Sequence, residues 1–196
     1  MFRRALSLVP VVAVCLALTG AAVGATGSAV PAGHGRRAVA QTGPLDACTL
    51  LLKADVDTAF APRVFGAGEK GPGNFAGTAK YAAVANCTYT SRGSGLRDLL
   101  TVGLLARRAA DDKSGISVAT AKDGAVTLKA TPVDVKGLGD AAYWVNLGSA
   151  KRPIIQLNVL KGKRLWLIFS ASAAGLNTDA ALANLTTVAK ATLARL

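Results

Sequence analysis

Between Pro153 and Ser170 the chain places two apolar runs, Ile154-Ile-Gln-Leu-Asn-Val-Leu160 and Leu165-Trp-Leu-Ile-Phe169, on either side of Lys161-Gly162-Lys163. Short β-rich runs around a Lys-Gly-Lys loop predict a β-hairpin. Its register can be argued from the faces. A two-residue loop sets Val159 opposite Arg164 and Leu157 opposite Trp166. A three-residue loop pairs Val159 with Leu165, Leu157 with Leu167 and Ile155 with Phe169, which makes one face wholly apolar. A buried face is what specifies register, so the three-residue loop is the expectation. Gln156, Asn158, Arg164, Trp166 and Ser170 then share the other face with Ile154, Leu160 and Ile168.

The rest of the pattern builds outward from this hairpin. Leu50, Leu51, Val56 and Phe60 recur at near-helical spacing with Asp46, Asp55 and Asp57 among them, predicting one or two short helices over 46–61 that end before Pro62. Residues 62–80 hold five glycines and two prolines and read as a long loop. Ala85–Thr90 alternates as a strand with Cys87 and Tyr89 on one face, and Ser91–Gly95 reads as a turn. Leu99–Leu105 reads as the next strand, ending at Arg107-Arg108; Ala109–Ala121 reads as a helix or partly helical crossing, and Ala125–Ala130 as a short strand. Gly137 and Gly139 bracket a tight turn in which Asp140 is placed to accept backbone N–H groups, and Ala142–Val145 opens a strand. Asn177–Leu196 is the clearest helix, capped by Asn177 or Thr178, with an apolar stripe of Leu182, Leu185, Val188, Ala189, Leu193 and Leu196. The fold class expected is α+β, an antiparallel β-sheet packed by an N-terminal helix and a long C-terminal helix.

Composition changes the picture at the N-terminus. Arg3-Arg4 precedes an apolar stretch, Leu6–Leu18, and no charged residue falls between Arg4 and Arg36. That is the form of a secretory signal peptide, and the apolar stretch is short for a membrane span. The expected organisation is a signal over 1–25, with cleavage as late as 40, a flexible lead-in over 26–44, and a single α+β domain over 45–196. The protein is thereby expected to be secreted or periplasmic, or membrane-anchored if the signal is not cleaved. From residue 41 onward, 19 basic side chains face 11 acidic ones, a net charge of +8. Such a balance suits an anionic partner, namely phospholipid, acidic glycan or an acidic protein; export makes nucleic acid the weakest candidate. Cys15 is lost with the signal, which leaves Cys48 and Cys87 as an even pair in an oxidising compartment. A bridge between them is expected. The competing use of Cys48, lipid attachment, lacks a fitting motif because Asp46 stands inside Leu45-Asp46-Ala47-Cys48.

Several of these segments together resemble a family. Asp46-Ala-Cys48-Thr-Leu-Leu opens a short helix, Cys87-Thr-Tyr89 lies in a strand, and Gly137-Leu-Gly-Asp-Ala-Ala-Tyr-Trp144 precedes a Lys-Gly hairpin and a terminal helix. This resembles small secreted proteins and lipoproteins of unknown function from actinobacteria and proteobacteria. The resemblance spans nearly all of 46–196 and implies an α+β sandwich similar to PsbP-like domains, without catalytic residues. Lys53 departs from the pattern, which usually has Thr or Ser there as a helix cap, and the lipid-attachment motif is missing.

Candidate chemistry is sparse. The single histidine, His34, lies in the lead-in, and Glu69 is the one glutamate. With both cysteines committed to each other, Ser-His-Asp and Cys-His catalysis, histidine-based zinc sites and paired-glutamate chemistry have no participants. Two formal dinucleotide fingerprints, Gly66–Gly71 and Gly137–Ala142, lack the strand-then-helix context that the motif needs. No enzyme, no cofactor and no metal are expected. The residues that remain for binding are Tyr143, Trp144, Arg164 and Trp166, aromatics beside arginine and amides; the competing expectation buries Trp166 beneath the C-terminal helix or a second helix layer. Lys151, Arg152, Lys161 and Lys163 are the candidate anionic-partner surface, a stripe at best, because the two pairs fall at opposite ends of one strand. The expected function is an exported, non-catalytic binding or accessory protein of the cell envelope. The alternatives are a small-ligand carrier using Trp144 and Trp166, or an enzyme of unrecognised type with Asp134 or Asp140 near Lys136.

Overall fold

A computed structural model describes residues 45–71, 81–92, 99–110 and 117–196. The signal, the lead-in with His34, and most of the Ser91–Gly95 turn lie outside these residues. The chain begins with two short helices, α1 (Ala47–Leu50) and α2 (Lys53–Ala59), as the spacing predicts. Asp46 caps α1 by accepting from the Cys48 N–H at 2.9 Å. The N-cap of α2 is Leu52, which offers no side-chain acceptor; Lys53 is its first helical residue and pairs with Asp57 one turn on.

The strands are β1 (Glu69–Lys70), β2 (Tyr81–Ser91), β3 (Leu100–Ala109), β4 (Val133–Val135), β5 (Ala141–Asn146), β6 (Ile154–Lys161) and β7 (Leu165–Ser172). Two further helices are α3 (Val118–Thr127) and α4 (Thr178–Leu193). The strands form one antiparallel sheet in the order β1-β2-β3-β7-β6-β5-β4. The fold is therefore α+β, a sheet packed by helices.

The hairpin β6–β7 lies near the middle of that sheet, but its register differs from the expected one. Lys161 pairs with Leu165, Val159 with Leu167, Leu157 with Phe169 and Ile155 with Ala171, so the three-residue loop is Gly162-Lys163-Arg164. Relative to the expectation, each β6 residue meets a partner two positions further along β7. A slip of two residues leaves every side chain on its original face, so the apolar face is the same in both registers. What distinguishes them is the loop. Gly162 now opens it at φ +61, a conformation that needs glycine, and its N–H donates to the Asp140 carboxylate at 2.5 Å. The Asp140 carboxylate thus serves the neighbouring hairpin rather than its own turn, where Gly137 and Gly139 take the positive φ angles the sequence suggests.

Three other expectations are corrected. The glycine-rich segment is not loop throughout: Glu69 and Lys70 form a short edge strand against Thr88 and Cys87. Arg107 and Arg108 do not follow β3 but lie within it, paired with Trp166 and Leu165. The helix expected over 109–121 starts at Val118, capped by the Ser117 hydroxyl, and continues to Thr127, into the segment expected as a strand at 125–130. Ala121 and Ala125 recur four residues apart and both are buried, a helical spacing hidden among residues of mixed propensity.

One face of the sheet carries the core. Val102, Leu104 and Ala106 of β3, Ile155, Leu157 and Val159 of β6, and Leu167, Phe169 and Ala171 of β7 are all inaccessible to solvent. Helix α4 lies across β6 and β7, α1 packs on β2 and β3, and α2 packs on α4. The α4 stripe is Ala181, Leu185, Val188, Ala189 and Thr192, with Leu182 and Leu193 at its border and Leu196 exposed. The disulfide Cys48–Cys87 joins α1 to β2 with Cα atoms 5.0 Å apart, so Cys48 is not open to lipid attachment.

The turn between α1 and α2 is tied down by side chains that no periodicity marks. A helix end leaves carbonyls without intrahelical partners. The Leu50 carbonyl accepts from the Thr192 hydroxyl at 3.2 Å and the Arg195 guanidinium at 2.6 Å, and the Leu51 carbonyl accepts from the Tyr89 hydroxyl at 2.8 Å. Arg195 also pairs with Asp55 at 2.6 Å. At the opposite end of α1, the Lys70 ammonium at 2.6 Å and the Cys48 N–H hold the Asp46 carboxyl below the usual carboxylate range. The Lys53 ammonium, and then the Phe65 N–H at 2.9 Å, do the same for Asp57.

Candidate ligand groove

The second face of the sheet is built differently. Strand alternation and the observed register lay its side chains out in rows running from β2 across to β5. One row is Asn86, Leu105, Ile168, Asn158 and Tyr143; the next is Thr88, Gly103, Ser170, Gln156 and Val145. Arg107 and Trp166 stand one row towards the β6–β7 loop, and Thr101 one row the other way. Helix α3 covers only the β5 side of this face, placing Ala121, Gly124, Ala125 and Leu128 over Tyr143, Val145 and Leu147. The remaining space is a groove of about 450 Å³ lined by all of these residues. Pockets of about 300–1,000 Å³ are the usual size for small ligands.

The floor is lowest where Gly103 and Ser170 pair at the centre of the sheet. A Cβ at Gly103 would come within 3.2 Å of the Ser170 hydroxyl and 3.6 Å of the Thr88 hydroxyl, so any larger residue fills the trough. Around it stand neutral hydrogen-bonding side chains: Asn86, Thr88, Thr101, Gln156 and Ser170. Among the described residues none of these five makes a side-chain hydrogen bond within the protein. Five such groups around one depression have donor and acceptor capacity to spare for a bound molecule.

Trp166 forms one wall. It is half-buried, its indole N–H donates to the Asn158 carbonyl oxygen at 3.2 Å, and Arg107 lies over its ring at 4.9 Å. Asn158 is itself only 2 % exposed, so this bond fixes both side chains. Tyr143 is buried beneath α3, with Lys122 6.0 Å from its ring centre, and burial pushes its hydroxyl up to about 12 against the opposing effect of Arg107. Lys122 is in turn paired with Asp134.

Of the residues singled out from sequence, the structure brings Tyr143 and Trp166 together in the groove and sends Trp144 elsewhere. Trp144 follows Tyr143 in β5 and so points to the opposite face, where it packs against the main core. Arg164 sits in the β6–β7 loop, where its guanidinium donates to the Ala110 carbonyl at 2.7 Å, and it does not line the groove. The C-terminal helix does not cover Trp166, because α4 occupies the other face; Trp166 and Val118 of α3 pack against the same pair, Ala109 and Leu160. Lys161 and Lys163 sit at the β6–β7 loop, and Lys151 and Arg152 at the far end of β6, so the four do not converge. Asp134 and Asp140 line no part of the groove. Sequence reasoning missed Arg107 and Gly103. The pairing of β3 with β7 puts them there, and a glycine inside a β-run is the one local signal of it.

No family model matches the chain, and no curated protein matches it in sequence. Among the described residues no group of three or more His, Cys, Asp or Glu side chains is placed to hold a metal ion, and no helix is long and apolar enough to cross a membrane.

Proposed function

We propose that this protein is an exported, non-catalytic carrier that holds a small molecule in the groove between α3 and the second face of the sheet. The observation that carries this reading is the ring of five hydrogen-bonding side chains without protein partners around a glycine-floored trough. All five are half-exposed, so they are hydrated in the free protein and can exchange that water for the polar groups of a bound molecule. The groove is preferred over the basic surface as the site because Lys151 and Arg152 stand apart from Lys161 and Lys163. Export is supported by the basic-then-apolar N-terminus and the cysteine pair. It predicts that protein recovered from its host starts at Thr26 or Gln41 and is two hydrogens lighter than its reduced form. Recovery at full length with free thiols overturns it. Kinship with PsbP-like sandwiches belongs to the same proposal and rests on the antiparallel sheet with helices packed on it.

The carrier reading is tested with Trp144→Phe protein, in which Trp166 is the one remaining tryptophan. Screening a chemically diverse small-molecule library should find compounds that shift Trp166 emission saturably. Gly103→Val, which fills the trough, should abolish those shifts while leaving the fold intact by circular dichroism. A library without response, or responses that Gly103→Val leaves unchanged, overturns the assignment.

A further inference from the structure

We propose, resting on the groove being the binding site, that its ligand is an uncharged carbonyl compound, with its carbonyl oxygen held by the Asn158 amide and the Tyr143 hydroxyl and its apolar part beneath α3. Asn158 and Tyr143 are paired across β6 and β5, and both line the groove. They are 2 % and 1 % exposed, far less than the five side chains around the trough. The Trp166 indole N–H donates and cannot accept, so its bond fixes the Asn158 carbonyl oxygen on the Trp166 side. The amide nitrogen is left with no partner among the described residues, and so is the Tyr143 hydroxyl. No side-chain nitrogen or oxygen of the described residues lacks both a partner and access to solvent. These two groups therefore open onto the space they line, which is the groove. Nearly buried polar groups without partners are rare in native proteins, so two of them on paired residues point to a bound molecule as the missing partner.

The chemistry of the pair selects the class. Asn158 has only N–H groups left to offer, and Tyr143, its hydroxyl pushed up to about 12 by burial, keeps its proton at neutral pH and offers an O–H. A carbonyl oxygen has two lone pairs and no hydrogen, so it accepts from both and leaves neither unmatched. An alcohol brings a third donor, and with only its own oxygen and the Tyr143 oxygen to accept, one hydrogen stays unbonded. An ammonium finds no carboxylate, because no acidic side chain among the described residues lines the groove. A carboxylate meets no available charge. Arg107 stands one row away, held over the Trp166 ring and with a further interaction of its own, and an unpaired charge is costly to bury. Apolar surface continues from the pair: Val145 and Leu147 follow Tyr143 on the same face, with Ala121 and Ala125 of α3 above. The hydroxyls and amides of the trough lie on the other side, where polar substituents of the same molecule can reach them.

The test uses three probes on the same eight-carbon skeleton: 2-octanone, 2-octanol and 2-aminooctane. Each is titrated into the wild-type chain by calorimetry. 2-Octanone should bind saturably at one site, 2-octanol about tenfold more weakly, and 2-aminooctane not at all. The infrared carbonyl band of bound 2-octanone should lie below its position in hexane, the signature of accepted hydrogen bonds, a comparison that needs no variant. Tyr143→Phe removes one donor and should weaken 2-octanone by about three- to tenfold, with its band moving towards the hexane position and circular dichroism staying native. Equal binding of 2-octanone and 2-octanol, a bound-ketone band at the hexane position, or 2-octanone affinity unmoved by Tyr143→Phe overturns the carbonyl class and leaves the groove assignment standing. If none of the three binds while library compounds still respond to Gly103→Val, the class again fails alone; if no compound of any kind responds, both fail.

Discussion

Helix α1 is four residues long, and isolated helices shorter than about 12 residues are marginal in water, so something other than propensity must hold it. The Cys48–Cys87 bond is the main candidate, and its removal gives a calculable effect. The two residues are 39 apart in sequence. In the chain-entropy model a loop of that length contributes about 4 kcal/mol at 25 °C by restricting the unfolded chain. For a domain of about 150 residues each kcal/mol moves the midpoint by about 2–4 °C, so Cys48→Ala with Cys87→Ala should lower Tm by about 8–16 °C. Cys87 is fully buried, so the atoms lost there add a small cavity in the same direction. The assay is differential scanning calorimetry of the double variant beside the oxidised and chemically reduced wild-type protein. The latter two should differ by a similar amount. A fall of less than about 3 °C, with native-like circular dichroism, would show that the Leu50 and Leu51 hydrogen bonds suffice to hold α1 and that the bond contributes little.

Three further outcomes follow from the same contacts. Tyr89→Phe deprives the buried Leu51 carbonyl of its donor and should cost about 1–3 kcal/mol in denaturant unfolding; an unchanged midpoint would mean that the carbonyl finds another partner. Gly139→Ala places a Cβ 2.5 Å from the Leu160 carbonyl oxygen at a φ of +61, and should destabilise by about 1–3 kcal/mol; a change within 0.5 kcal/mol, about the size of a surface substitution, would refute the strain argument. Asp46 and Asp57 have folded pKa values depressed by Lys70 and Lys53, so their contribution is present above the ordinary carboxylate pKa of about 4 and is lost as pH falls through the lower folded values. Tm should therefore drop on acidification below pH about 4, and less steeply in Asp57→Asn; equal slopes would remove Asp57 from the account.

Much of the fold was legible because burial on one face leaves a period in the sequence. The alternation Ile155, Leu157, Val159 and Leu165, Leu167, Phe169 identified the hairpin and its core face, and the α4 stripe identified the helix that covers it. The same signal cannot count in twos. Sliding one strand by two residues changes every partner and no face, so the register depended on Gly162 and on the Asp140 carboxylate from a different turn. Helix α3 was missed for a related reason. Its buried side chains are alanines, which leave little amphipathic contrast, and Val126, Thr127 and Leu128 at its end look like a strand while standing exposed.

The groove illustrates the harder limit. Its residues come from five strands and one helix, and each is unremarkable in its own segment: a glycine in a strand, a serine after a phenylalanine, an arginine at the end of a run. Tyr143 and Trp166 were recognisable as large side chains with polar handles, yet Trp144 looked equivalent to its neighbour until the β5 pleat assigned the two to opposite faces. What the sequence lacked was the sheet order. Once β3 lies between β2 and β7, Arg107 meets Trp166 and, two rows away, Gly103 meets Ser170, and a low, polar trough follows from side chains chosen separately. The core face tolerates many apolar combinations because its demand is volume. The groove face has a different constraint: enlarging Gly103 fills it, and replacing Arg107 removes its charge. Substitution at those two positions should therefore change binding more than stability, the reverse of what the Leu157 or Phe169 positions would give.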